Sequence, residues 1–203
     1  MSIFLVRHGV TDWNQANRVQ GHTDIGLNAH GLRQVAELEG AFRHLHVDHL
    51  FSSDLIRCQQ TAAPILAATQ APIKYSELLR ERSFGHWEGD SYEDIHRKLR
   101  EAGAQLDLDE FFVRAEGGES LKDVWDRLDP IVEEIASTPG NLCVVSHGGV
   151  CAILLSRLVQ GTYDTPKSFR FENASVTQLE RRPNGAWRLV RFCDVSHLDG
   201  LEN

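Results

Sequence analysis

Leu142-Cys143-Val144-Val145-Ser146-His147-Gly148-Gly149-Val150 opens on an apolar, β-branched run, passes through a glycine pair and enters a second apolar run that continues to Val159. Residues 142–145 are apolar at consecutive positions, so both faces of the strand they predict must be covered. The glycines permit a tight turn, and 150–159 reads as an apolar helix. A strand, a glycine turn and a helix in succession form the building unit of a parallel sheet packed by helices.

The same alternation extends in both directions. A first strand is expected over 2–6, followed by a long polar loop. Asn28 can cap a helix with Leu32, Val35, Ala36, Phe42 and Leu45 on its apolar face. A short strand over 50–52 leads to a helix capped by Asp54 and running to Thr69, which Pro64 must bend or interrupt because it lacks an N–H. A brief strand over 73–75 comes next, then a helix over 92–101. Leu121, Val124, Trp125, Leu128, Ile131, Val132 and Ile135 give the clearest helical stripe, over 119–137 with a kink at Pro130. The chain ends in a hairpin, 174–181 and 186–192, turned at Pro183-Asn184-Gly185. The fold class expected is α/β: a three-layer αβα sandwich whose mostly parallel central sheet has an antiparallel edge strand and helices on both faces. One domain is expected over 1–203, with an irregular, cap-like insertion at about 76–118, the kind of segment that lies over a site.

Composition narrows the partners. A net charge of -8, with no basic block, disfavours nucleic acid and anionic membranes. No apolar run reaches the ~18 to 20 residues of a membrane span, and Arg7 and His8 cut short the apolar start of the chain. A cytoplasmic location and small-solute partners are therefore expected, and a homodimer stays open. Cys58, Cys143, Cys151 and Cys193 have no Cys-x-x-Cys spacing and read as reduced, structural thiols.

Four separated stretches carry anion chemistry where strands end. These are Arg7-His8-Gly9-Val10-Thr11-Asp12-Trp13-Asn14, Ser52-Ser53-Asp54-Leu55-Ile56-Arg57, Leu79-Arg80-Glu81-Arg82-Ser83-Phe84-Gly85 and Ser146-His147-Gly148-Gly149. In open α/β sheets ligands gather beyond the carboxyl ends of the strands, so these stretches can converge. Two guanidiniums can grip a phosphoryl group and neutralise its charge, a helix N-terminus can seat it, and an imidazole can attack it covalently.

On these residues the chain resembles the histidine phosphatase, or phosphoglycerate mutase-like, superfamily. The resemblance runs through Arg7-His8-Gly9 with Thr11 and Asn14, Gln20-Gly21-His22-Thr23-Asp24, Ser53-Asp54-Leu55 through Arg57, Leu79-Arg80-Glu81 with Phe84-Gly85 and Trp87-Glu88-Gly89, Gly117-Gly118-Glu119-Ser120, and Ser146-His147-Gly148, all in order. It implies that His8 is the phosphorylated nucleophile, with Arg7, Arg57 and His147 completing the phosphate pocket. It also implies hydrogen bonds from Asn14, Gln20, Gly21 and the Gly148 amide, and Glu81 as proton donor and acceptor. Thr23, Arg82, Trp87, His22 and His197 are candidates for the substrate side. No cofactor and no metal are implied, and the partner is a small phosphate ester.

Within that family the reading favours a phosphomonoesterase over a phosphoglycerate mutase. The mutases resembled carry a paired-arginine, proline-rich insertion after the acidic loop, whereas 90–116 holds Arg97, Lys98, Arg100 and Arg114 with no adjacent pair and no proline. Phe84-Gly85-His86-Trp87-Glu88 is also similar to the loop of α-ribazole phosphatases, and Asp194-Val195-Ser196-His197-Leu198 to the ending of broad-specificity phosphatases, which leaves the ester open. Loss of the nucleophile or acid would make a member a binding protein, but both residues are present. A remote alternative is a metal-dependent hydrolase, because His44-Leu45-His46-Val47-Asp48-His49 matches a His-x-His-x-Asp-His pattern. Metal analysis and assay in excess chelator separate these readings: turnover is expected to persist, and its loss on chelation would favour the metal site.

Overall fold

Alternate residues of the central strands enter two opposite apolar layers. In β1 (Ser2–Arg7) Ile3 and Leu5 join one cluster and Phe4 and Val6 the other; in β4 (Leu142–Ser146) Leu142 and Val144 face the first and Cys143 and Val145 the second. This is why the run at 142–145 carries no polar residue. With β2 (His49–Ser53), β3 (Ile73–Ser76), β5 (Val176–Arg181) and β6 (Trp187–Asp194), they form a six-stranded sheet in the order β3-β2-β4-β1-β5-β6. The first four strands pair in parallel, while β5 and β6 make an antiparallel hairpin at one edge. The coordinates are a computed structural model, and the structure describes residues 1–201.

The helices cover both faces, as the alternation requires. α2 (Ala29–Phe42) and α3 (Ile56–Thr69) pack with the cluster of Phe4 and Val6. α5 (Leu121–Arg127), α6 (Asp129–Ser137) and α7 (Gly148–Leu158) pack with that of Ile3 and Leu5. α4 (Tyr92–Leu106) lies in the irregular segment, with Ile95 and Leu99 in a separate small cluster with Val19 and Val113.

Several local expectations are corrected. The loop after β1 contains a one-turn helix, α1 (Asp12–Gln15), closed by a Thr11–Asn14 capping box. Asn28 caps α2 as expected, but Leu32 is 48% exposed and Ala36 is also exposed, while Leu38 is buried beside Val35 and Phe42. Asp54 does not cap α3. Its carboxylate accepts from Arg80 Nε at 2.7 Å, and the first α3 amide, Ile56 N, donates instead to Asp24 Oδ1 at 2.7 Å. A bidentate guanidinium competes better for that carboxylate than one amide does. Pro64 sits inside α3 without ending it, and α4 runs five residues beyond 101 to Leu106. The 119–137 stripe is two helices that meet at Leu128, where Pro130 takes a place in the first turn of α6 in which its missing N–H costs nothing. β5 begins at Val176 rather than 174, because Ala174 adopts a left-handed conformation (φ 57°).

α2 presses directly on the chain leaving β1. A side chain at Gly31 would bring its Cβ to 2.0 Å from the Val10 carbonyl, and one at Gly9 to 2.9 Å from the Gly31 carbonyl. The two glycines let helix and loop touch backbone to backbone, one residue from His8. Gly31→Ala is accordingly expected to destabilise the protein by about 1–3 kcal/mol, the usual cost of overpacking a rigid contact. A denaturation midpoint equal to wild type would show that the loop yields freely.

Candidate active site

The register of β1 against β4 builds the centre of the site. Arg7 is paired with Ser146, and His8 N donates to Ser146 O at 2.9 Å. The next residues of the two strands, His8 and His147, therefore emerge side by side, their ring centroids 5.1 Å apart at 64°. β2 lies on the other side of β4 and places Ser53 where its hydroxyl meets His147 Nε2 at 3.0 Å. Arg57, in the first turn of α3, reaches back across this group.

The tautomers follow from the partners. His8 Nδ1 lies 2.7 Å from the Gly9 carbonyl, which can only accept, so the proton sits on Nδ1 and Nε2 keeps its lone pair. His147 Nδ1 accepts from Arg57 Nε at 3.2 Å, so its proton is on Nε2, toward Ser53 Oγ. Burial, followed by the charges of Arg57 and Arg7, holds the pKa of His8 well below its ordinary value; burial and Arg57 do the same for His147. Both imidazoles are neutral near pH 7. Cys58 Sγ lies 3.4 Å from His147 Nε2, but burial pushes its pKa up to about 12, so it packs as a thiol. All four cysteines are free.

Two cations face these neutral rings. The Arg57 side chain is fully buried; its Nη1 donates to Thr23 O at 2.9 Å and its Nη2 to Gly21 O at 2.8 Å. Arg7 Nη1 donates to Phe171 O at 2.6 Å, whereas its buried Nε has no partner. Gly148 opens α7, and the following amide, Gly149 N, donates to Glu81 Oε2 at 3.1 Å. A carboxyl group thus stands at the helix N-terminus beside two guanidiniums and an imidazole lone pair. Such a group can bind an oxyanion, attack it and move a proton.

The sequence profile of the histidine phosphatase superfamily (branch 1) matches residues 3–195. The chain belongs to this superfamily and is a phosphohydrolase of it. It is 32% identical to a probable phosphatase of Schizosaccharomyces pombe, over 100% of this chain and 97% of that one. It is 28% identical to the probable phosphoglycerate mutase GpmB of Escherichia coli, over 98% and 95% of the two chains. The crystal structure of the α-ribazole phosphatase from Shigella flexneri superposes with a TM-score of 0.85 at 25% identity, covering 100% of both chains.

Of the residues singled out by sequence, this histidine phosphatase brings Arg7, His8, Arg57, Glu81, His147 and Gly148 to one place. Asn14 adjoins it: its Oδ1 receives Thr11 N at 3.2 Å and Asn173 Nδ2 at 3.3 Å. Gln20 is buried behind it, accepting from Thr11 Oγ1 at 3.0 Å, and Gly21 contributes the carbonyl that holds Arg57. The substrate-side candidates are placed otherwise. Thr23 gives its hydroxyl to Glu88 Oε2 at 2.5 Å. Arg82 is buried, donating to the carbonyls of Glu119 at 2.7 Å and Val113 at 2.8 Å. Trp87 packs on the α4 cluster beneath Lys98, and His22 Nε2 donates to the Glu81 carbonyl at 2.8 Å. His197 lines a cleft with Phe4, Phe42, Val176 and Arg191. In the 44–49 segment His46 Nε2 pairs with Asp48 Oδ1 at 2.9 Å and Asp48 accepts from Asn141 N at 2.7 Å. Among the described residues no three His, Cys, Asp or Glu side chains are grouped to hold a metal ion, and no helix is long and apolar enough to cross a membrane.

Three supporting residues escaped the sequence reading. Asn173 Nδ2 donates to the His8 carbonyl at 2.9 Å, and Arg127 Nη2 donates to the carbonyls of Arg80 at 2.6 Å and Glu81 at 2.9 Å. Glu88, noted only as part of a matching loop, collects the donors of two loops. Asn173 and Arg127 carry no local signal, since each acts on backbone far along the chain. Glu88, a carboxylate following an aromatic and preceding a glycine in a polar loop, could have been suspected.

Neutral, buried imidazoles link the site to stability. The unfolded chain binds protons at His8 and His147 as pH falls below about 6.5, whereas the folded site takes them up only well below that, so stability is full above about pH 6.5 and falls below it, by up to about 1.4 kcal/mol per pH unit for each histidine. Denaturant titrations below about pH 6.5 are expected to show this loss, with a slope reduced by up to about one proton in His8→Asn and in His147→Asn. An unchanged slope in both variants would mean that the rings are charged in the folded protein.

Proposed function

We propose that this histidine phosphatase is a metal-independent phosphomonoesterase that acts on small phosphate esters through a phosphohistidine. The observation that carries the proposal is the Nδ1–H bond of His8 to the Gly9 carbonyl, which leaves Nε2 unprotonated between two guanidiniums. Arg7, Arg57 and the Gly148 amide would receive the phosphoryl oxygens, with Asn14 at the margin. His8 Nε2 attacks phosphorus in line as the ester P–O bond breaks, and Glu81 gives its proton to the departing oxygen. The Glu81 carboxylate then takes a proton from water as that water attacks phosphorus; the P–N bond breaks and inorganic phosphate leaves. His147, with both nitrogens engaged by Arg57 and Ser53, fixes the guanidinium and walls the pocket rather than transferring protons.

Hydrolysis is favoured over mutase chemistry by how the cap cations are spent. A mutase must clamp a bisphosphate between two transfers. Arg97 pairs with Asp94 at 2.7 Å, Lys98 pairs with Asp90, and Arg114 pairs with Asp123 at 2.5 Å. Three of the four cap cations thus have a carboxylate partner within the chain, and the fourth, Arg100, is exposed to solvent.

Purified protein is expected to hydrolyse p-nitrophenyl phosphate with no added metal and to interconvert 2- and 3-phosphoglycerate poorly. A panel of phosphoserine, ribazole phosphate, phosphoglycerates and sugar phosphates would rank the natural ester. His8→Ala should abolish turnover, while Glu81→Ala should lower the rate by about 10²–10⁴-fold, the usual share of a general acid, and flatten its pH profile. Undiminished activity in His8→Ala would place the nucleophile elsewhere, and efficient phosphoglycerate interconversion with slow phosphate release would make the protein a mutase.

A further inference from the structure

Glu88 lies outside the group of residues that can touch a phosphate, yet its carboxylate joins the loop that holds the arginine to the loop that bears the acid. Glu88 Oε1 accepts from His22 N at 2.9 Å and from Phe84 N at 3.2 Å, with Ser83 Oγ at 3.4 Å. Glu88 Oε2 accepts from Thr23 N at 2.9 Å and Thr23 Oγ at 2.5 Å. His22 and Thr23 belong to the loop whose Gly21 and Thr23 carbonyls receive Arg57. Ser83 and Phe84 directly follow Glu81 and Arg82. One oxygen thus bridges the two loops.

The contact is built to be close. Gly21 has φ +51°, and a Cβ there would stand 2.1 Å from Glu88 Oε1, so only a glycine lets the carboxylate reach this loop. Three backbone N–H donors and two hydroxyls converge on one side chain, which suits an ionised carboxylate and no neutral residue. A glutamine offers one acceptor oxygen, and its NH2 would face an N–H whichever way it turned.

We infer that Glu88 is a positioning residue that sets where Glu81 stands relative to the phosphoryl group held by Arg57. The inference rests on the phosphohistidine reading above and deepens it. Loosening the clamp frees both loops, but the acid depends more on placement. A guanidinium still attracts a dianion when displaced, whereas proton donation to a leaving oxygen requires hydrogen-bond distance.

The leaving group separates the two effects. A p-nitrophenolate departs without a proton, whereas the alkoxide of an alkyl phosphate such as phosphoserine needs one, and kcat/KM reports the step in which it leaves. In Glu88→Gln, kcat/KM is expected to fall about tenfold on p-nitrophenyl phosphate and about a hundredfold on the alkyl phosphate, the scale of a misplaced catalytic group. The acid-dependent limb of the alkyl pH profile should weaken with it, and Glu88→Asp should recover part of the alkyl activity. Equal losses on the two esters, or no loss in a folded protein, would overturn the inference. If Glu88→Gln does not fold, Thr23→Val, which removes one hydroxyl from the clamp, provides the test through the same ratio, with a selective alkyl loss expected and an equal loss overturning it. A wild-type protein inert toward both esters would instead defeat the phosphohistidine reading, so the two failures are distinguishable.

Discussion

The parallel pairing of β1 with β4 is the constraint on which the rest of the site depends. With Arg7 opposite Ser146 and His8 N bonded to Ser146 O, two strands more than a hundred residues apart end at one level. A slip of one residue would send every side chain of β1 to the other face. Ile3 and Leu5 would exchange layers with Phe4 and Val6, so the buried clusters on the two faces oppose it. The energy that fixes the position of His8 therefore comes from apolar residues that have no chemistry of their own.

Charge is then held in place by backbone. Arg57 is buried without a carboxylate in direct contact, three of its N–H donors held by Gly21 O, Thr23 O and His147 and the others left for an oxyanion. Hydrogen bonds to a charged group contribute about 1.5–3 kcal/mol each, which offsets part of the several kcal/mol lost in taking the cation from water. A positive, partly uncompensated pocket remains, made more so by the unpartnered Nε of Arg7. An arriving phosphate supplies the missing negative charge, so the site is strained toward its ligand while the free protein is stabilised elsewhere. The neutrality of His8 and His147 belongs to the same balance, because neither ring gains by taking a proton beside the buried Arg57 and the half-buried Arg7.

The loops that complete the site are held by carboxylates and guanidiniums rather than by apolar packing. Arg127 holds the carbonyls of Arg80 and Glu81 from α5, Asp54 and Arg80 tie β2 to the same loop, and Glu88 joins that loop to the 20–23 turn. Polar clamps of this kind define geometry more sharply than dispersion contacts, since each bond is directional.

Much of this was legible in the residues alone. Apolar runs such as 142–145, the glycine turn and the helical stripes determined an α/β layering, and Arg7-His8-Gly9, Arg57, Glu81 and His147-Gly148 declared the chemistry. These signals are local, arising from backbone sterics, periodicity and side-chain type. What only the tertiary structure decided was which partner each polar group would find. Asp54, a plausible cap by position, was taken by Arg80; Arg82, a plausible substrate contact, was buried against Val113 and Glu119; Thr23 became a bond to Glu88; and the stripe over 119–137 broke at Leu128. Hydrogen-bonding groups have many chemically equivalent partners along a chain, and the choice among them is made by the packing that brings distant segments within 3 Å, which no local pattern encodes.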